Sequence, residues 1–333
     1  MRTLLIGLLF FSSALSAQNT MRFSQFNFAQ GVNNPSAIAI DGSIMADLIF
    51  RNQWSGIDGA PVSGAFNAQY EINQSMAVGL TSSYDRIGVL QNAAFGLQYA
   101  YRLHFDGNRT LGFGIGLGLD NTVNSLAGSS LTTSNDPAFS TSYARTFFNG
   151  SFGIFYNAPR FYVGASIPQL FQNTALGSEP GFQPPRWHYY VSAGYYLEAG
   201  DNYTFNPHIQ LKATRNAPLQ ADLILRNTFF NRFSIVAGYR SENSLIAGVD
   251  VLIAGHARIG YSFNYSLGAL SRVKGASNEL YLGFAFPYHN DRYDFDRRRY
   301  MNNKGTNKFD LKRDSKRKHY HRGRRYGRKD RFR

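Results

Sequence analysis

The chain has 333 residues, no cysteine and a formal net charge of +14 at pH 7. The missing cysteine excludes a lipid-anchored lipoprotein, a disulfide framework and a catalytic thiolate. The charge is concentrated in residues 291–333, which hold 18 Lys and Arg against 6 Asp, so residues 1–290 are nearly neutral. A nearly neutral body with 15% aromatic residues is typical of a lipid-facing barrel.

The first predicted element is a signal peptide at residues 1–17. Arg2 precedes an apolar run from Leu4 to Phe11, and small residues follow as far as Ala17, which is the layout of an export signal. We interpret residues 18–43 as an irregular N-terminal segment, and the sequence leaves open whether it plugs the barrel that follows.

The body of the chain, residues 44–286, alternates apolar with small or polar residues. In 93–103, Phe95, Leu97 and Tyr99 alternate with Gly96 and Gln98. A strand that crosses a bilayer at a tilt needs about 9–11 such residues. The sequence therefore predicts an all-β fold, a transmembrane antiparallel β-barrel of about 14 strands (12–16). The predicted spans are 44–54, 61–71, 76–85, 91–103, 109–121, 147–157, 160–168, 187–199, 202–213, 218–229, 232–241, 244–253, 256–265 and 277–286.

Connection lengths give the predicted orientation. The connections from even to odd strands are short, whereas 122–146, 169–186 and 266–276 all join odd strands to even ones. Bacterial barrels have short periplasmic turns and longer outer loops. The pattern therefore places the protein in the outer membrane of a Gram-negative bacterium, with both chain ends in the periplasm.

Residues 287–333 are predicted to form a disordered, basic, periplasmic tail, because blocks of like charge repel one another. The tail is either solvated or bound to an anionic partner such as peptidoglycan, an acidic periplasmic protein or membrane lipid; the export signal disfavours nucleic acid. The candidate residues for an anionic partner are Arg297, Arg298, Arg299, Lys316, Arg317, Lys318, Arg324 and Arg325.

The most distinctive local motif is the run Arg51–Pro61. Asp58-Gly59 favours a tight reversal, Pro61 fixes the chain that leaves it, and Trp54 suits a membrane interface. The physical reading is a hairpin with an interfacial anchor.

This motif also resembles the PorP/SprF membrane proteins of the type IX secretion system. The resemblance includes Gln25-Phe26, Asn34-Pro35 and the stretch 161–168, and it departs from the family at Asn278, where members often have His. It implies a non-enzymatic outer-membrane component that supports export of surface proteins such as adhesins, linked to gliding in some relatives. Its expected partners are other secretion-system subunits, a secreted substrate and outer-membrane lipid. The candidate partner-binding residues are Arg51, Gln53, Trp54, Asp58, Gly59, Pro61, Asn34 and Pro35.

Catalytic and metal-binding patterns are weak. Histidines are scattered, with no spacing typical of metal ligands, so we predict no catalytic residues, no metal and no cofactor. Two alternatives stay open, a transport barrel for small solutes and an outer-membrane lipid hydrolase, which needs a serine and a histidine at one rim.

Overall fold

The computed structural model describes residues 21–40, 43–124, 143–171, 187–199, 202–215, 217–241, 243–253, 255–267 and 275–287. The predicted signal peptide and the basic tail beyond Pro287 lie outside these ranges, so both stay predictions. Among the described residues, no helix is long and apolar enough to cross a membrane.

The described residues form fifteen antiparallel strand segments. They are β1 (Ser43–Asn52), β2 (Val62–Asn73), β3 (Met76–Ile87), β4 (Leu90–Phe105), β5 (Arg109–Asn124), β6 (Tyr143–Asn157), β7 (Phe161–Ile167), β8 (His188–Tyr195), β9 (Leu197–Glu198), β10 (Tyr203–Thr214), β11 (Gln220–Phe229), β12 (Phe233–Arg240), β13 (Ser244–Ile253), β14 (Ala257–Ser266) and β15 (Ser277–Pro287).

The sheet closes into a barrel of fourteen strands. Each strand pairs with its neighbours in sequence, and β1 pairs with β15 from Ser43 opposite Pro287 to Asn52 opposite Asn278. β8 and β9 both pair with β10 and are interrupted only at Tyr196, so they fill one position. Closure leaves no free edge in the hydrocarbon layer, and it confirms the predicted fold class.

The two faces of the barrel follow the predicted alternation. Outward residues such as Leu97 and Ile115 are 60% and 54% exposed, whereas the inward Gln98, which follows Leu97 on β4, is 6% exposed. Apolar side chains therefore face lipid and polar ones face the lumen. We call the end where β1 begins the turn rim, because its connections are short, and the end where β1 stops the loop rim.

Residues 21–40 lie inside the barrel, and we call them the plug. They contain a helical turn at Gln30–Asn33 and a 3-10 turn at Pro35–Ala37. Phe23, Phe26 and Ile38 of the plug are at most 3% exposed. A chain in the lumen must satisfy its own backbone polar groups, and the barrel wall supplies many of the partners.

Candidate functional site

The loop-rim half of the plug is held by Glu279 of β15. Its two carboxylate oxygens accept hydrogen bonds from the backbone N–H groups of Ser24 and Gln25, each at 2.8 Å. The Ser24 hydroxyl donates to Oδ1 of Asn264 on β14 at 3.0 Å. Glu279 is 1% exposed, so bulk water does not reach its carboxylate. The two backbone N–H groups stabilise the charge in place of water.

Arginine residues from the wall and the plug meet next to this anchor. Arg51 of β1 donates to the backbone carbonyl of Arg22, and the Arg22 guanidinium pairs with Asp222 of β11. Asp222 also accepts from Nε of Arg240 on β12 at 2.9 Å. One buried carboxylate thus joins two wall strands to the plug.

A second shared carboxylate lies deeper in the lumen. Asp250 of β13 pairs with both Arg226 of β11 and Arg258 of β14. The Arg226 guanidinium lies 3.7 Å from the centre of the Phe28 ring, and Tyr281 stacks on the same ring at 4.8 Å between centroids. Phe28 therefore places the plug against the charged wall through cation–π and aromatic contacts.

On the opposite wall, glycines leave the space that the plug occupies. A Cβ atom added to Gly114 of β5 would overlap the backbone of Pro35 and Ser36, and one added to Gly153 of β6 would overlap the Asn34 amide. Only glycine allows backbone to approach this closely. Alternate glycines in β5 thus form a groove for the 3-10 turn.

Hydrogen bonds fix the plug along the same wall. Nε2 of Gln98 donates to the Gly31 carbonyl at 2.8 Å, and the Ser166 hydroxyl donates to the Asn33 carbonyl at 2.8 Å. Arg102 donates to the Ile38 carbonyl, and the Ala39 N–H donates to Gln69 at 2.7 Å. Together with Glu279 of β15, these strands bind the plug backbone from both sides of the lumen.

The β1–β2 loop, residues 53–61, forms a fixed structure at the loop rim, and we call it the rim loop. The Gln53 N–H donates to the Pro61 carbonyl at 2.9 Å, the Ser55 N–H to the Ala276 carbonyl at 2.9 Å, and the Gly88 N–H to the Gly59 carbonyl at 3.0 Å. These bonds tie the loop to the β14–β15 and β3–β4 connections. Asp58 and Gly59 remain exposed, and Ile57 is 38% exposed.

The structure divides the candidate partner-binding residues into two groups. Gln53, Trp54, Asp58, Gly59 and Pro61 lie together in the rim loop, with Trp54 half-buried at a φ of +52° and Pro61 buried. Arg51, Asn34 and Pro35 are buried at the plug, so their contacts are internal. Sequence reasoning missed Glu279 and Asp222 as plug partners; their signal is an acidic residue at an inward position of a strand.

Two cavities lie on opposite sides of the helical turn Gln30–Asn33. The loop-rim cavity, about 380 Å³, reaches Val32 and Asn33 and is lined by Asp85 and Asp120 among others. The turn-rim cavity, about 80 Å³, reaches Gln30 and Gly31. The helical turn therefore stands between the two spaces.

In the hydrogen bonds that the structure describes, two histidines inside the barrel pair with tyrosine and threonine hydroxyls and not with a serine. Nδ1 of His208 lies 3.1 Å from the Tyr162 hydroxyl, and Nδ1 of His188 lies 2.6 Å from the Thr214 hydroxyl. Within the described ranges, no group of three or more His, Asp or Glu could hold a metal ion.

A closed barrel with an apolar outer belt and a polar, filled lumen defines an integral outer-membrane protein. The model of the type IX secretion system membrane protein family PorP/SprF matches residues 15–284. The chain therefore belongs to the PorP/SprF family, and it is a membrane component of the type IX secretion system. The comparison with curated proteins gives no match.

A solved outer-membrane barrel shares the fold. The monoaromatic hydrocarbon channel CymD superposes with a TM-score of 0.52 at 12% identity, covering 79% of this chain and 94% of that one. Omp33 of Acinetobacter baumannii has a TM-score of 0.44 at 9% identity and covers 74% and 100%. A FadL homologue of Pseudomonas aeruginosa has a TM-score of 0.45 at 12% identity and covers 77% and 93%.

Proposed function

We propose that this protein is a non-enzymatic scaffold whose lumen stays plugged while its rim loop binds an exported protein, such as an adhesin, or another secretion subunit. The observation that carries the proposal is the plug, which is bonded to strands on opposite sides of the lumen through Glu279, Asp222 and Gln98. A filled lumen leaves the two rims as contact surfaces. The same proposal includes support for the export of an adhesin used in gliding, as in some relatives.

The rim loop suits a contact surface because it is already ordered. Its hydrogen bonds to Ala276 and Gly88 fix the backbone before a partner arrives, which lowers the entropy lost on binding. Asp58 and Ile57 offer a charge and an apolar side chain at its exposed tip.

Reversing the charge at the rim loop tests this surface. We expect Asp58→Arg to lower cross-linking of the barrel to its exported partner by about tenfold, the size of one lost interfacial ion pair. Barrel stability should be unchanged because Asp58 is exposed. The measurement is cross-linking in intact cells followed by partner identification.

The matched control is Asp106→Arg, an exposed aspartate in a turn at the opposite rim. It should leave cross-linking as in the wild type. Equal cross-linking in the Asp58 and Asp106 variants would contradict a partner site at the rim loop.

The basic tail forms the second part of the proposal, as a periplasmic tether to peptidoglycan, an acidic protein or membrane lipid. β15 ends at Pro287 on the turn rim, opposite the rim loop, so the tail leaves from the far side of the barrel. Its charge favours anionic partners.

Deleting residues 291–333 tests the tether. We expect heat-modifiable folding of the barrel to be unchanged, because these residues follow the last strand. Co-purification of periplasmic components should fall, and in the wild type it should weaken as salt is raised through 0.15 M and above. Full co-purification with the shortened chain would remove the tether from the account.

Transport of small solutes is the second candidate, and the loop-rim cavity is the observation in its favour. A solute that enters this cavity meets Val32 and Asn33 of the plug. Transport therefore requires the plug to move, and solute uptake into liposomes by the full chain would support it over the scaffold.

A further inference from the structure

The turn-rim cavity is lined by side chains that can donate hydrogen bonds. Arg226 and Asn206 are each 3% exposed, His208 is 4% exposed, and all three border the space below the plug. The cavity volume of about 80 Å³ exceeds the roughly 10–15 Å³ needed for one water. The space therefore has room for a small polyatomic ion.

Two of these donors have no partner among the described residues. They are Nε of Arg226 and Nδ2 of Asn206. The Tyr162 hydroxyl lies 3.1 Å from Nδ1 of His208; when it donates to that nitrogen, the ring proton is on Nε2, which is a third donor. Buried donors are nearly always paired in native proteins, so an acceptor for these donors is missing.

The surrounding charges indicate that the acceptor is an anion. Asp250 is shared between Arg226, which lines the cavity, and Arg258. Next to the cavity, two arginines therefore share one carboxylate. Water would satisfy the free donors, but it would not balance this excess of positive charge.

One acceptor also borders the cavity without a partner, Oε1 of Gln30 in the helical turn of the plug. An anion with a hydroxyl, such as hydrogen phosphate, would donate to it while accepting from the wall. Such an ion would contact the plug and the wall at once.

We propose that the turn-rim cavity binds a small inorganic anion, of the size of phosphate or smaller, between Arg226, Asn206 and the plug. The ion completes the pairing of Arg226 and holds the helical turn against β10 and β11. This site is independent of the rim loop, so its test does not depend on the scaffold role.

The test compares the full chain in detergent at one ionic strength with three anions: phosphate, chloride, and gluconate as a control too bulky for the cavity. The melting midpoint, read by heat-modifiable migration, is expected to rise by about 3 °C or more in phosphate or chloride relative to gluconate. An equal midpoint in all three salts would overturn the proposal.

The variant Asn206→Asp replaces one of the donors to the ion with a fixed carboxylate on the strand position opposite Arg226. Its midpoint in gluconate should rise, and its response to phosphate should disappear. Asn108→Asp adds the same charge in an exposed turn and should keep the wild-type response. A full phosphate response in the Asn206 variant would overturn the proposal.

A crystal of the wild type soaked in bromide gives a readout that needs no variant. An anomalous peak within hydrogen-bond distance of Nε of Arg226 would support the site. Water alone at that position would overturn it.

Discussion

Glu279→Gln is expected to destabilise the folded barrel by about 3 kcal/mol, because a buried carboxylate that accepts two backbone N–H groups loses its charge and one acceptor. The new amide NH₂ would face the N–H of Ser24 or Gln25, where two donors oppose each other. The measurement is urea unfolding in lipid vesicles, followed by the loss of heat-modifiable migration.

Glu198→Gln is the control for Glu279→Gln, since Glu198 is exposed on β9. It should change the free energy of unfolding by less than about 0.5 kcal/mol. If the two variants unfold at the same urea concentration, Glu279 does not anchor the plug.

Gly114→Ala is expected to lift the plug from the wall and turn a closed barrel into a conducting one. The added Cβ atom overlaps the backbone of Pro35 and Ser36, which cannot move aside as a flexible side chain would. The change should appear as a steady ionic current in planar bilayers, where the wild type gives only baseline. Protease should also cut the plug faster, because released backbone is accessible.

Gly64→Ala is the matched control for the β5 glycine. Gly64 is on the outward face of β2, and a Cβ there would meet the Ile49 carbonyl at an ordinary 3.6 Å. It should remain closed and protease-resistant. Current from both alanine variants would mean that the overlap at Gly114 does not govern the plug.

The barrel was predictable from the sequence because its information is local. A period of two over about ten residues identifies each strand by itself, so β4 and β5 could be found from 93–103 and the alternate glycines of 112–118. The strand ends differ by a few residues where a polar stretch continues the pairing, as when β5 extends to Asn124. The break at Tyr196 has no sequence signal.

The plug could not be predicted because its contacts are long-range. Ser24 and Gln25 bond Glu279, which is about 255 positions away along the chain, and nothing near residue 24 has a periodicity. The Arg51–Pro61 motif was read as one surface, yet the strand register turns Arg51 into the lumen while Asp58 stays outside. One end of this continuous motif thus contacts the plug, and the other end lies exposed at the loop rim.

The absence of native cysteine allows the central claim to be tested with one engineered disulfide. Ser24 and Asn264 face each other, with 3.0 Å between their side-chain oxygens, and Ser24→Cys with Asn264→Cys should lock the plug to β14. The direct measurement is secretion of the exported protein by cells that carry only the locked barrel. The scaffold account predicts wild-type secretion with and without reductant. Secretion that stops in the locked protein and returns on reduction would contradict it, since the plug would then have to move.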